Sequence, residues 1–230
     1  MDAPFYCASC RTPFANEFPL GPDGICALCR QGARGYDFAY SYGSYDGALK
    51  DLIHLYKYGR VQGLAMNFAG LMYDALPADQ TFDAVVAVPM HWRRLWQRGF
   101  NQAAQLAKKL AARRHLRYAR LLTRARWTGS QTSLSNKERR ANTSGAFRVR
   151  GNVKGLRILL VDDVMTTGAT AGACANVLKR AGAKSVTLLT LARVDRRLAA
   201  PSARTSKIRS FVDGSHDEIA KASTGIEREL

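Results

Sequence analysis

The segment Ile158-Leu-Leu-Val-Asp-Asp-Val-Met-Thr-Thr-Gly-Ala-Thr170 constrains this chain more than any other stretch of its sequence. The apolar run centred on Ile158 to Val161 predicts a buried strand over 156–161. Two adjacent acids stand where that strand is expected to end, and charges buried there are costly unless they have a role. Hydroxyl residues and a glycine then open a helix expected over 168–181. In an open parallel sheet, ligands bind beyond the carboxyl ends of the strands. A helix N-terminus offers free N–H groups that suit a phosphate. Thr166, Thr167 and Thr170 add hydroxyl donors, Gly168 lets the backbone approach closely, and Ala169 leaves the loop amides available. Asp162 and Asp163 do not favour phosphate, but they suit neutral sugar hydroxyls or a magnesium ion bound beside them. The segment reads as a seat for a sugar phosphate, with the phosphate in the 166–170 loop and the diol on the acids.

The rest of the chain supplies a sheet to hold that seat. Residues 46–58 place Leu49, Leu52, Ile53 and Tyr56 on one helical face, and Gly59 follows as a stop. A second helix is expected over 63–76, ended by Pro77. Phe82 to Val88 is a short apolar run before Pro89 and reads as a buried strand. Further elements are a helix over 101–114, a strand over 118–122 and a final strand over 185–192. This alternation implies a parallel sheet covered on both faces. Residues 126–145 are polar and read as a long loop with one helical turn at 136–141, and a loop of that length inside a domain is usually functional. The expected organisation is a small module over 1–35, a main α/β domain over 36–200 and a flexible polar tail over 201–230.

The small module holds Cys7-x2-Cys10 and Cys26-x2-Cys29, with 15 residues between the pairs. Two tight turns of this kind complete a tetrahedral sulfur site, which zinc favours. Two disulfides or an iron–sulfur or redox centre use the same residues, but the expected cytoplasmic location disfavours disulfides. Four thiolates leave no open position, so the metal is expected to be structural. Cys174 lies alone on a helix and reads as core packing.

Charge is concentrated rather than spread. The net charge is +17, yet residues 90–150 alone hold 16 Lys and Arg against one acid, Glu138. Such a field attracts polyanions: nucleic acid, a phosphorylated sugar or an acidic partner. The chain has no run of about 18 apolar residues that would insert in a membrane. Its N-terminus lacks the basic-then-apolar pattern of a secretory signal, so a cytoplasmic protein is expected.

At this point a resemblance is plain. Residues 158–170 are similar to the signature of type I phosphoribosyltransferases, which bind phosphoribosyl pyrophosphate (PRPP). The usual Thr-Gly-Gly-Thr ending is here Thr167-Gly168-Ala169-Thr170. The run from Val88 through Pro89, His91, Arg98, Gly99 and Phe100 to Gln102 resembles the ComF family of competence-related proteins. So do the four-cysteine ribbon, Leu122-Thr123-Arg124, Gln131, Arg140 with Asn142, and Gly145-Ala146-Phe147. The resemblance covers about residues 5–194. It implies an open parallel sheet of the type I phosphoribosyltransferase fold with a small N-terminal four-cysteine zinc ribbon, and a link to imported single-stranded DNA. It also implies that the loop after Val88 cradles the pyrophosphate. Arg93, Arg94 and Arg98 are then its counter-charges and His91 a donor. The 126–145 segment becomes the loop that closes over substrate, with Arg139 and Arg140 as its phosphate contacts.

Three functions fit these residues. The first is an enzyme in which a nucleophile displaces pyrophosphate from the sugar, with magnesium bridging pyrophosphate and diol oxygens. No general base stands out and no acceptor is legible. The second is a single-stranded DNA binder, because Trp92, Trp96, Phe100, Tyr118 and Trp127 interleave the basic residues. Of these rings, Trp96 and Phe100 lie at helical spacing and are expected in the core. The third is a PRPP-gated adaptor whose ribbon docks a partner such as a motor ATPase. His54 and His115 read as structural and surface residues respectively.

Overall fold

The structure, a computed structural model, describes residues 4–14, 17–32, 34–59, 61–90, 92–124 and 145–194, with the backbone alone at Leu28, Arg93 and Arg94. In chain order its elements are β1 (Phe5–Tyr6), β2 (Pro13–Phe14), α1 (Ala27–Arg30), β3 (Phe38–Ser44) and α2 (Gly47–Tyr58). There follow α3 (Leu64–Asp74), β4 (Ala84–Ala87), α4 (Trp92–Arg98), α5 (Gln102–Arg113) and β5 (Leu122–Arg124). The last are β6 (Phe147–Val149), β7 (Arg157–Met165), α6 (Ala169–Arg180) and β8 (Ser185–Arg193).

The main sheet runs in the order β3-β8-β7-β4, and every neighbouring pair is parallel. The two central strands are apolar on both sides because both sides are covered. Along β7, Ile158 and Leu160 join one core and Leu159 and Val161 the other, as the two-residue period of a strand requires. One core packs α6 through Ala171, Cys174, Ala175 and Leu178, and it takes in Cys7, Cys10 and Cys26 as well. The opposite core packs α2, α3 and α5 through Tyr56, Phe68, Met72, Leu106 and Leu110. Tyr56 knits that side together: its ring meets Phe68 and Phe100 at 5.4 and 5.5 Å, and its hydroxyl donates to Gln102 O at 3.3 Å. Asn101 caps α5 by accepting from the Ala104 amide at 3.2 Å, while its Nδ2 donates to Val88 O at 3.3 Å. A cap of this kind contributes about 1 kcal/mol, and here it also ties α5 to the end of β4.

Several expectations are corrected. The strand expected over 156–161 continues to Met165, because β8 keeps pairing with it as far as Met165↔Arg193. Its pairing with β4 stops at Ala87↔Val161, so the two acids lie inside the strand on one edge and beyond the pairing on the other. The stretch after Val88, expected as a loop, forms α4. The strand expected over 118–122 is instead Leu122–Arg124 paired antiparallel with Phe147–Val149, while Tyr118 makes a single parallel bridge to Val85. The edge strand β3 has no counterpart among the expected elements, because its sequence Phe38–Ser44 mixes tyrosine, serine and glycine without an apolar run. Leu52 is exposed rather than on the buried face of α2, which is narrow and centred on Ile53 and Tyr56. Trp96, expected in the core, is 88% exposed, whereas Phe100 is buried as expected. The difference is that α4 presents Trp92, Leu95 and Trp96 to solvent, whereas Phe100, past its end, packs against Tyr56. Cys174 is buried in the core, and His115 is exposed. His54, read as structural, is exposed on α2 with its ring 4.6 Å from that of Tyr58.

Candidate functional site

Consecutive residues of a strand point to opposite faces, and this separates the paired acids. Asp162 lines a hollow of about 50 Å³ together with Thr166, Thr167, Gly168, Ala169 and Thr170. Asp163 faces the other way, toward the last turn of α2, where Lys57 Nζ meets its Oδ2 at 2.9 Å. Each carboxylate also accepts from the next amide: Asp162 Oδ1 from Asp163 N at 2.9 Å, and Asp163 Oδ1 from Val164 N at 2.6 Å. Thr190, opposite Asp162 in the β7–β8 register, completes the wall of the hollow and shares a hydrogen bond of 2.7 Å with Ser41.

The loop is shaped by Gly168, which stands at the N-cap of α6 with φ 74°, a left-handed conformation that L side chains rarely adopt. Thr167 Oγ1 accepts from the Ala169 amide at 3.3 Å. The first four amides of a helix have no partner within it, so the first turn of α6 borders the hollow with donor capacity and a positive dipole end. Across that hollow the Asp162 carboxyl is pushed up to about 7 by burial first and by the neighbouring Asp163 charge second, with Lys57 and Arg98 pulling the other way. Near neutral pH this group sits between its neutral and charged forms, and hydrogen bonds from ligand hydroxyls, or a cation, favour the charged one.

The other predicted contacts are less gathered. Arg98, at the end of α4, donates to Tyr58 Oη at 2.9 Å and to Gln102 Oε1 at 3.4 Å, and lies 5.0 Å from the Tyr58 ring centroid. Its charge is felt at Asp162. Arg93 and Arg94 lie on α4, without described side chains. His91, Arg139, Arg140 and Trp127 lie outside the described residues.

The structure draws Cys7, Cys10, Cys26 and Cys29 into one cluster whose Sγ atoms all lie within 4.8 Å of one another. Cys10 and Cys26 Sγ are 3.8 Å apart, far from a disulfide length of about 2 Å. A tetrahedral ion with Zn–S near 2.3 Å spaces its sulfurs by about 3.8 Å. All five cysteines are free thiols. Amides of Cys10 and Cys26 point at Cys7 Sγ, at 3.5 and 3.3 Å. The Cys10 thiol is held well below the usual range, to about 3, by the hydrogen bond from Cys29 above all, against its burial and with help from the Arg34 charge. Burial pushes the Cys26 thiol up, and the Cys10 sulfur and burial push Cys29 up, so it is the spacing of the four sulfurs that fits a bound metal ion.

Two residues of the site escaped sequence reading. Lys57 had a faint signal: it follows Ile53 by one turn, on the margin of the buried face of α2, where a lysine needs a partner. Thr190 is a buried hydroxyl in a largely apolar strand, like Thr187, and periodicity alone does not tell the two apart.

Among known protein families, residues 57–222 match the phosphoribosyl transferase domain family. The chain is 32% identical to the DNA utilization protein YhgH of Escherichia coli O6:H1, over 84% of this chain and 99% of that protein. It is 30% identical to competence protein F of Haemophilus influenzae, over 73% of this chain and 78% of that one. Among solved structures, the allosteric regulatory enzyme of purine biosynthesis is 22% identical with a TM-score of 0.41 over 56% of this chain. This chain spans about a quarter of that enzyme, 26%, so the likeness carries no argument about the site. Family match and relatives agree: the chain belongs to the phosphoribosyl transferase domain family and, within it, to the ComF family.

Proposed function

We propose that this protein binds PRPP at the carboxyl end of β7. The observation that carries the reading is the hollow shared by Asp162 and the Thr166–Thr170 loop, which sets a carboxylate beside a helix N-terminus. The 5′-phosphate takes the loop amides and hydroxyls. The ribose diol and magnesium are assigned to the acid pair, Asp162 from the hollow itself and Asp163 from the other face of the strand end beside Lys57, and Arg98 belongs to the pyrophosphate side with His91, Arg93 and Arg94. Arg139 and Arg140 are assigned further phosphate contacts. Zinc in the cysteine cluster is structural. Magnesium, when bound, neutralises charge on the pyrophosphate and holds it against the diol. Calorimetric titration with PRPP and magnesium tests the site: micromolar-class binding is expected, and none to a folded, metal-loaded chain refutes it. Metal analysis is expected to give one zinc per chain, lost in Cys26→Ser.

The reading extends to handling single-stranded DNA in competence, in the cytoplasm, in line with relatives named for competence and for DNA utilization. A separate observation favours it. Trp92 and Trp96 are 65% and 88% exposed on α4, at the head of the segment that holds 16 basic residues and one acid. Exposed rings stack on bases, and cations track the backbone. Anisotropy of a labelled oligonucleotide across a salt series is the test. Steep weakening with salt is expected, about 0.7 of a counterion per neutralised phosphate, and undetectable binding at low salt rules it out for the isolated chain. An active phosphoribosyltransferase of nucleotide metabolism is the alternative: magnesium-dependent pyrophosphate release from PRPP with a candidate base would establish it. A motor ATPase as ribbon partner belongs to the competence reading.

A further inference from the structure

Between the cysteine cluster and the phosphate loop runs a short line of contacts that neither site uses by itself. Tyr36 is 5% exposed. Its hydroxyl accepts from Arg34 Nη1 at 3.2 Å and donates to Met165 Sδ at 3.7 Å. The same oxygen stands against the pivot of the loop: a Cβ on Gly168 would lie 3.0 Å from Tyr36 Oη. Gly168 is therefore glycine for two reasons, its positive φ and the hydroxyl beside it. Arg34 presses on the next turn of α6, where a Cβ on Gly172 would lie 2.7 Å from Arg34 O.

The line continues to the sulfurs. Arg34 and Tyr36 line one hollow together with Ser9 and Cys29, which brings the line to the edge of the cluster. The Arg34 Nε is buried without a hydrogen-bond partner among the described residues, so the bond from Nη1 to Tyr36 is what orients the guanidinium. From the other side, Arg193 at the end of β8 pairs with Met165 in register and sends Nη1 to Cys10 O at 2.7 Å and Nη2 to Thr12 Oγ1. Met165 is thus keyed to the turn that carries Cys7 and Cys10, and Gly168 is keyed to Met165 and Tyr36.

We propose that Tyr36 is a positioning residue for the phosphate loop, and that through Arg34 it couples the loop to the cysteine cluster, so that a metal-loaded cluster and an occupied sugar-phosphate site favour each other. The inference rests on the sugar-phosphate reading above and adds a route by which the ribbon acts on that site. A residue that only filled the core would lower stability and leave the two sites independent. Coupling has a sharper signature, because linkage is reciprocal: if metal tightens ligand binding by some factor, ligand tightens metal binding by the same factor.

The experiment uses the full zinc-loaded chain and ribose 5-phosphate, which carries the 5′-phosphate and diol without pyrophosphate. Zinc retention is measured against a chromophoric chelator with and without saturating ribose 5-phosphate, and ribose 5-phosphate affinity by calorimetry. In the wild type the ligand is expected to raise zinc affinity about five-fold or more. Tyr36→Phe keeps the ring and one zinc per chain, loses roughly three- to ten-fold in ribose 5-phosphate affinity, and abolishes the effect of ligand on zinc retention. If the wild type binds ribose 5-phosphate but holds zinc equally with and without it, the coupling is wrong and the sugar-phosphate site stands. If the linkage survives undiminished in Tyr36→Phe, Tyr36 is not the positioning residue. If the wild type binds neither ribose 5-phosphate nor PRPP, the sugar-phosphate reading falls and takes this inference with it. The wild-type linkage needs no variant, so the proposal stays open to refutation even if Tyr36→Phe folds poorly.

Discussion

The central strand β7 begins and ends on an ion pair, and the two pairs could hardly be more different. At its start Arg157 grips Asp83 through two nitrogens, at 2.7 and 3.1 Å, adds Thr81 at 2.6 Å, and both charged side chains are well exposed, 41% and 32%. At its end Lys57 meets Asp163 at 2.9 Å with 13% and 14% exposure, and a second carboxylate, Asp162, stands next to it with no cation within ion-pair distance among the described residues. The Asp83 carboxyl is held down to about 2, chiefly by its hydrogen bonds from Arg157, whereas Asp162 is pushed up to about 7 by burial and by Asp163. The first pair has settled its charges and closes the bottom of the sheet. The second leaves one charge unsettled at the end where the sheet opens. A fold that leaves a carboxylate in that condition gives up stability, and a ligand that supplies the missing donors recovers it.

That contrast can be broken at four places. The largest effect is expected from Asp162→Asn combined with Asp163→Asn, which removes both charged acceptors: PRPP affinity falls about a hundred-fold or more while the fold persists, since each charge-assisted hydrogen bond contributes about 1.5 to 3 kcal/mol. Calorimetry decides it, and equal affinity in wild type and variant would mean that the acids do not hold the diol. Next comes Lys57→Met, which strands Asp163 in a secluded position. Its expected cost is about 1 to 3 kcal/mol of stability, read by denaturant unfolding. No loss would make the upper pair as dispensable as a surface one.

The third test turns on pH. The folded-state pKa of Asp162 lies above its unfolded value, so folding favours the proton. The stability of the ligand-free protein at this site is greatest below about pH 4, falls as pH rises toward the folded value near 7, and levels off above it. Asp162→Asn is therefore expected to melt above the wild type at pH 8, by an amount that shrinks at pH 5, at about 1.4 kcal/mol per pK unit lost. Equal melting at both pH values would show that Asp162 is no more strained than Asp83. The smallest effect belongs to Arg157→Ala. An exposed pair is screened by water and salt, so melting at pH 7 should shift barely, and not at all in high salt. The sign is opposite to that of Asp162: the contribution of Asp83 is present above about pH 4 and is lost as pH falls through about 2.

What the amino-acid sequence determined by itself was whatever depends on local order. A run of apolar residues, two acids, hydroxyls and a glycine made Ile158–Thr170 legible as strand, candidate site and helix start, because all of its parts are adjacent in the chain. Two short cysteine pairs made the cluster legible because each pair is a local turn. The helices α5 and α6 were legible as segments, and Ile53 and Tyr56 of α2 followed from helical period. Tertiary structure decided everything that depends on which element meets which. It extended β7 past its acids, because β8 goes on pairing where β4 stops, and it sent Asp162 and Asp163 to opposite faces. It brought Lys57, distant in the chain, to Asp163, and it set Tyr36 against Gly168. It turned Trp96 outward, because the spacing of rings along α4 says which residues share a face but not whether another element covers it. Local sequence specifies faces and turns; partners across the sheet are chosen only when the whole chain has packed, since each contact there depends on the register and direction of an element that the neighbouring residues do not encode.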